Sequence, residues 1–158
     1  MADWIVVVDD DMRYLWMRAR PISRTPLRID PEALGEGEDP AARCLRAVLS
    51  VAGVTPDVES LLRSGQTPRE IMENSLRDSE FIDLTGCGVT ACLYYIGKGA
   101  PVYAADAAQG AVLLTGYDTS TVYVYDSGTG EAEQLTYEEA EERFAAAGNT
   151  FYTYLEME

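Results

Sequence analysis

The chain has 158 residues, of which 47 % are apolar, so it is long enough and apolar enough to bury the core of one globular domain. Its 27 acidic residues outnumber 12 basic ones and give a net charge of −15, which predicts repulsion from nucleic acid and from anionic membranes. No apolar run approaches the roughly 20 residues that a transmembrane helix needs, and the N-terminal sequence lacks the basic start of a secretory signal. We therefore expect a soluble domain, in a compartment that the sequence leaves open.

The charge is unevenly distributed along the chain. Ten of the 12 basic residues precede Ser79, whereas from Glu80 onward only Lys98 and Arg143 oppose 13 acidic residues. Solubility is the simplest explanation of such a surplus. The alternative is a basic or cationic partner that docks on the C-terminal half.

The absence of histidine from the chain is the most informative feature of the composition. Histidine is the side chain best suited to move protons near neutral pH and the commonest metal ligand. Its absence excludes Ser–His and Cys–His catalysis within this chain and every zinc site that needs imidazole. We accordingly expect no metal ion and no other cofactor.

The three cysteines, Cys44, Cys87 and Cys92, are an odd number and form no complete disulfide framework. The pattern favours small, buried, apolar side chains for them. One alternative concerns Cys87, which lies between Gly86 and Gly88 ahead of a predicted helix. The dipole at a helix N-terminus lowers the pKa of a thiol, so Cys87 is the candidate nucleophile if the domain is a thiol enzyme.

The N-terminal segment predicts a β-hairpin followed by a loop at residues 21–39. Trp4–Val8 is a short apolar run, Tyr14–Arg20 alternates in character, and the three aspartates between them suit a turn. An apolar strand that ends in three aspartates also resembles the start of a response-regulator receiver domain, in which clustered acids hold magnesium. Prolines interrupt the helix that this fold needs next, and no suitable phospho-acceptor strand occurs near Asp57, so the hairpin is favoured.

Five helices follow, and capping or breaking residues delimit them. Asp39 and Pro40 suit the N-cap and first position of the first helix, whose Leu45, Val48 and Leu49 form one apolar stripe. The helices are predicted at residues 40–52, 57–64, 68–76, 89–97 or 89–99, and 137–147, with Thr67 and Thr136 as N-caps and Gly53, Gly65 and Gly148 as stops.

Five strands are predicted in the second half of the chain, rich in Val, Leu, Thr and Tyr. They cover Phe81–Leu84, Pro101–Ala105, Ala111–Tyr117, Thr121–Tyr125 and Thr150–Leu155. The polar residues 118–120 form a turn short enough to force an antiparallel hairpin. We expect an α+β fold with an antiparallel sheet of about five or six strands, packed against a central helix and smaller helices.

Three short motifs carry a family resemblance. GAPV stands at Gly99–Val102, TGYD at Thr115–Asp118 and VYVYD at Val122–Asp126. Their order after the first core helix resembles the papain-like cysteine peptidases, in particular the branch that includes the double-glycine leader peptidases of bacteriocin exporters. The likeness covers roughly residues 39–154, and its front half rests on the order of the helices alone. It implies a papain-like cysteine proteinase fold.

In that family a Cys-Gly-Pro segment with a Gln shortly before it opens the first core helix, and a His and an Asp follow on later strands. The resemblance places the nucleophile position at about Pro40, or at Asp39 with a slip of one residue. Cys44 lies too far into the helix to replace it, and no Gln precedes it. The histidine position falls at Gly110, or at Gln109 with a similar slip.

Only Asp126 stands where the family keeps the acid that orients its histidine, and Ser127 replaces the proline that usually follows. Asp126 is equally suited to capping the turn before Gly128. A triad without nucleophile and base does not run acyl transfer by that mechanism. The resemblance therefore implies an enzyme fold with an empty active site.

We expect one domain over residues 1–158, with a hairpin and loop at 1–38 and a papain-like core at 39–155, excised from a larger bacterial protein. The leading hypothesis is a degenerate, non-catalytic peptidase domain that binds a peptide or protein partner, which includes other domains of the parent chain. Its cleft would be lined by Pro40, Gln109, Gly110 and Asp126. The alternatives are a thiol hydrolase or transferase that uses Cys87 with a non-histidine or partner-supplied base, and a structural spacer domain.

Overall fold

A computed structural model describes residues 4–8, 17–35, 37 and 39–156. Along these residues lie eight strands, five α-helices and a 3₁₀ helix at Pro31–Leu34. The strands are β1 (Trp4–Val8), β2 (Met17–Pro21), β3 (Ser79–Asp83), β4 (Val102–Asp106), β5 (Gly110–Tyr117), β6 (Thr121–Asp126), β7 (Glu131–Thr136) and β8 (Phe151–Glu156). The helices are α1 (Pro40–Val51), α2 (Val58–Arg63), α3 (Pro68–Ser75), α4 (Val89–Gly97) and α5 (Tyr137–Ala145).

Three of the helices begin at the capping residues that the sequence predicts. The Asp39 carboxylate accepts a hydrogen bond from the Ala41 N–H at 3.1 Å, and Pro40 occupies the first position of α1. Thr67 and Thr136 begin α3 and α5 with capping boxes, each closed by a glutamate three residues later. The cap therefore fixes the first residue of α1 and places Pro40 at the N-terminal end of the helix.

Six strands form one antiparallel sheet in the order β3–β8–β4–β5–β6–β7. Asp118 closes the turn between β5 and β6, because its Oδ1 accepts hydrogen bonds from the Ser120 and Thr121 N–H groups at 2.8 and 2.7 Å. The predicted α+β class and the predicted number of strands are confirmed. A sheet with this antiparallel order excludes the parallel sheet of a receiver domain.

α1 packs against β4 and β5 and supplies the middle of the core. Leu45, Val48 and Leu49 of its apolar stripe are fully buried. Phe144 of α5 and Phe151 of β8 are also fully buried, with their ring centroids 5.6 Å apart. Both helices are thereby fixed to one sheet, which places the start of α1 beside the ends of the strands.

The N-terminal segment forms a hairpin of its own and then pairs with β5 of the six-stranded sheet. β1 and β2 pair as a separate antiparallel hairpin, as predicted, although its acidic turn lies outside the described residues. Arg24 and Tyr117 then exchange backbone hydrogen bonds of 2.7 and 2.9 Å, and the Leu27 N–H donates to the Thr115 carbonyl oxygen at 2.8 Å. The strap pairs with the part of β5 beyond Leu114, where the pairing of β5 with β4 ends. Residues 22–35 are called the N-terminal strap below.

Two regions differ from the sequence-based predictions. The predicted loop at residues 21–39 contains the strap's pairing with β5 and the 3₁₀ helix, whose first turn is capped by the Asp30 side chain. The sequence analysis missed β7. Five of its six residues are exposed, and only Leu135 is buried. An edge strand of this kind lacks the apolar alternation by which strands are recognised in a sequence.

Candidate functional site

The start of α1 faces the turn between β4 and β5 across an open groove of about 490 Å³. A Cβ atom on Gly110 would lie 3.9 Å from the Cβ of Pro40, so these two positions are within van der Waals reach of each other. The residues that line the groove are Pro40, Arg43, Gln109, Asp126, Ser127 and Gly128. The structure therefore brings the four sequence-predicted cleft residues to one place.

Pro40 forms the α1 side of the groove. Proline has no backbone N–H and no polar side-chain atom, so this position offers neither a nucleophile nor a hydrogen-bond donor. In the alternative register, Asp39 uses its Oδ1 to cap α1 through the Ala41 N–H. Neither register places a sulfur or a hydroxyl group where the resemblance implies a nucleophile.

Arg43, one turn after Pro40, links the two walls of the groove. Its Nη1 donates to the Gly37 carbonyl oxygen at 3.0 Å, and its Nη2 donates to that of Ser127 at 2.6 Å. Its Nε is buried and has no hydrogen-bond partner in the part of the chain that the structure describes. The sequence analysis missed Arg43, although its i, i+3 spacing from Pro40 on α1 places both side chains on one helix face.

Asp126 closes the turn between β6 and β7. Its Oδ1 accepts a hydrogen bond from the Gly128 N–H at 2.7 Å, and its carbonyl oxygen accepts one from the Gly130 N–H at 2.8 Å. This is the turn-capping geometry that its sequence context predicts. The carboxylate therefore holds its own turn in place at the edge of the groove.

An ion pair between Arg143 and the buried side chain of Asp106 holds the turn that carries Gln109 and Gly110. Arg143 of α5 donates to both carboxylate oxygens of Asp106, from Nε to Oδ1 at 2.8 Å and from Nη2 to Oδ2 at 3.1 Å. The same Oδ2 accepts a hydrogen bond from the Gln109 N–H at 3.0 Å. The hydrogen bonds from Arg143 hold the pKa of Asp106 below its usual value, because they favour the ionised carboxylate. The ion pair thus fixes this wall of the groove.

The backbone distinguishes the two candidate positions for a histidine. Gly110 has a φ of +89°, a left-handed conformation in which any larger residue is strained. Gln109 has no such restriction, and its side chain lines the groove. Gln109 is therefore the position from which a large side chain can reach into this groove.

None of the three cysteines lines the open groove. Cys44 is fully buried in α1, and burial raises the pKa of its thiol to about 12, although a hydrogen bond with the Ser127 side chain partly offsets this. Cys92 is also fully buried, which raises its pKa. The expectation of burial is wrong for Cys87, which is exposed because its loop before α4 lies on the surface.

Thiol labelling is expected to separate the three cysteines. With iodoacetamide at about pH 8, Cys44 and Cys92 should react roughly a hundredfold more slowly than Cys87, because burial blocks access and disfavours the thiolate. Mass spectrometry of peptides from timed samples measures the three rates, and labelling in urea, where all three thiols are accessible, is the control. Equal native rates at Cys87 and Cys44 would contradict the buried position of Cys44.

Neither a metal site nor a membrane span is found in the described ranges. No three His, Cys, Asp or Glu side chains among these residues lie together in a way that would hold a metal ion. None of the helices within them combines the length and the apolar character that crossing a membrane requires.

Comparison with known proteins identifies the fold. No family model matches the chain, and no curated protein matches it. Among solved structures, the chain is similar to a protein from Bacillus anthracis whose crystal structure is described as that of a C39-like peptidase, with a TM-score of 0.63 and 16 % sequence identity. The match covers 85 % of this chain and 99 % of the other. At this identity the likeness shows the fold alone, and the chain has a papain-like α+β fold.

Proposed function

We propose that this domain is a non-catalytic relative of the papain-like peptidases that binds a peptide or protein segment in the groove between α1 and the β4–β5 turn. The observation that supports this most directly is the groove itself. Pro40, Gly110 and Asp126 lie together around it, and the positions of the nucleophile and of the histidine are taken by Pro40 and Gly110, whose side chains supply neither a nucleophile nor a base. The scaffold is retained, whereas the chemistry that it would carry is absent from these positions.

Hydrolysis by a cysteine peptidase needs a thiolate and a base within hydrogen-bond reach of each other. Pro40 stands at the helix position where the thiol is expected, and the chain has no histidine to act as the base. The thiol of Cys44 is buried in α1 and protonated at neutral pH, since its pKa is raised to about 12. We therefore expect binding without cleavage.

The groove has the polar groups that an extended peptide needs. Its volume of about 490 Å³ lies within the range of about 300–1,000 Å³ that is common for ligand sites. The Gln109 amide offers both a donor and an acceptor, and the Asp126 carboxylate offers acceptors. These groups can pair with the N–H and C=O groups of a bound main chain.

Filling the groove is expected to prevent binding. Peptides would be selected from a random library on the wild-type protein and then measured on Gln109→Trp, in which the indole ring occupies the groove. We expect the affinity to fall at least about tenfold. The matched control is Thr119→Trp, because Thr119 is exposed in the turn between β5 and β6 and does not line the groove.

Three outcomes would contradict the proposed function. If selection enriches no peptide, the domain is better explained as a structural spacer. If the selected peptides bind both tryptophan variants equally, they bind outside the groove. Cleavage of a selected peptide by the purified protein would show that the domain is an enzyme.

The exposure of Cys87 supports a second candidate, a thiol hydrolase or transferase. Cys87 directly precedes Gly88, the N-cap of α4, and lies outside the groove lining. Because the chain has no histidine, such an enzyme would need a base of another residue type or one supplied by a partner. Alkylation of Cys87 at neutral pH much faster than that of a free cysteine would support this function, and alkylation at an ordinary rate would argue against it.

A further inference from the structure

β7 forms one edge of the six-stranded sheet. It pairs with β6 on one side, and in the described parts of the chain no strand pairs with its other side. Five of its six residues are exposed, so its outer main-chain groups are open to a further strand. Addition of an extended peptide to such an edge is a common mode of peptide recognition.

The free edge continues directly from the groove. Asp126 ends β6 and lines the groove together with Ser127 and Gly128, and Glu131 then begins β7 as the register partner of Asp126. A peptide that leaves the groove past Gly128 therefore meets the first residue of the edge strand. Groove and edge together form one extended surface.

The edge carries negative charge at alternate positions. Glu131, Glu133 and Leu135 share one face of β7, where Leu135 is buried and both glutamates are exposed. Arg143 approaches Glu133 at 3.5 Å, but its two shorter hydrogen bonds go to Asp106. No cation of the described residues approaches Glu131 within ion-pair distance, so this face attracts positive charge.

We propose that the partner is an extended peptide with lysine or arginine at every second residue, which lies in the groove and continues as an added strand on β7. Neighbouring side chains on one face of a sheet interact, so cations at alternate positions would stand beside Glu131 and Glu133. This inference rests on the proposed function and names the chemistry of its ligand. The competing explanation of the two glutamates is protection of the edge against strand pairing, which predicts that no peptide adds there.

The test uses three end-capped peptides of about nine residues, enough to cover the edge strand and reach the groove. One alternates Lys and Thr, one has the same composition with all lysines in one block, and one alternates Glu and Thr. Amide shifts in ¹⁵N NMR spectra of the labelled full chain report the binding site. We expect the alternating Lys–Thr peptide to shift residues 131–136 and the groove, and to bind about tenfold more tightly than the block peptide.

Charge reversal gives the matched control. Glu131→Lys is expected to weaken binding of the Lys–Thr peptide about tenfold and to strengthen that of the Glu–Thr peptide. Glu80→Lys, an exposed position on the opposite edge strand β3, is expected to change neither. Equal binding of the alternating and block peptides, or shifts at β3 instead of β7, would overturn the inference.

The two proposals fail in different ways. If peptides shift the groove residues but not residues 131–136, the inference about β7 is wrong and groove binding stands. If the Lys–Thr peptide shifts β7 while Gln109→Trp leaves its affinity unchanged, the edge is a separate site and the continuous surface is wrong. If neither these peptides nor a random library shifts the groove, the proposed function itself fails.

Discussion

Replacement of Arg143 by alanine is expected to lower the free energy of unfolding by about 3–5 kcal/mol. The Asp106 side chain is 0 % exposed and that of Arg143 is 21 % exposed, so the variant leaves a buried carboxylate without its cation. The Gln109 N–H still donates to Asp106 but does not neutralise its charge. Because this carboxylate positions Gln109, peptide affinity is expected to fall as well. Urea unfolding followed by circular dichroism measures the change.

Arg69→Ala is the matched control, since Arg69 also donates from Nε to an aspartate. Its bond to Asp83 Oδ2 is 2.9 Å long, but the two side chains are 51 % and 29 % exposed. We expect a loss of at most about 1 kcal/mol for this pair. Equal losses of unfolding free energy in the two variants would show that burial of the Asp106 carboxylate does not determine the size of the loss.

The loss of unfolding free energy in the Arg143→Ala variant is also expected to depend on pH. Arg143 holds the pKa of folded Asp106 below the value of about 3.9 of an unfolded aspartate. Because the folded pKa is the lower one, the ion pair contributes fully above the unfolded value and loses its contribution as pH falls through the folded value. The difference between the two proteins should therefore shrink in the acid range.

Gly116→Ala is expected to release the N-terminal strap and to lower the free energy of unfolding by about 1–3 kcal/mol. A Cβ at this position would lie 2.7 Å from the Arg24 carbonyl oxygen and 2.9 Å from the backbone of Pro26. Since both contacts are with backbone atoms, the strap or β5 must move. Limited trypsin digestion at Arg24 and Arg28, compared with urea unfolding, measures the release.

Gly88→Ala provides the control for the glycine substitution. Gly88 has an ordinary negative φ, and the nearest atom to its added Cβ would be a Glu141 carboxylate oxygen at 3.6 Å, a normal contact distance. We expect a change below about 1 kcal/mol and unaltered cleavage in the strap. If Gly116→Ala also leaves cleavage and stability unchanged, the backbone pairing of the strap with β5 is not formed as described.

The parts of the fold that could be predicted are those with local signals. Asp39, Thr67 and Thr136 mark helix starts through their own side-chain hydrogen bonds, and Asp118 marks a hairpin turn. β7 has no such signal, because an edge strand with a single buried residue needs no apolar alternation. The strap pairs with β5 through backbone atoms alone, which leave no pattern in the sequence.

The candidate site likewise has parts that could be predicted from the sequence and parts that could not. The positions of Pro40, Gly110 and Asp126 could be predicted, because short motifs and a helix cap fix the register of their elements. The ion pair of Asp106 with Arg143 could not, since its members lie on different elements and only the packing of α5 on the sheet brings them together. Long-range side-chain pairs of this kind carry no periodicity.

Arg24 and Tyr117 are separated by more than half of the chain, whereas β4, β5, β6 and β7 each pair with the strand that follows or precedes them. A contact between distant residues requires closure of a long loop, whose entropy is lost before the contact contributes any energy. The hairpins of the sheet can therefore assemble early in folding, and the strap joins a sheet that already exists. Only three backbone hydrogen bonds among the described residues join the strap to β5, so we expect this pairing to open at native equilibrium more readily than the central strands and to expose the flank of β5 while those strands stay folded.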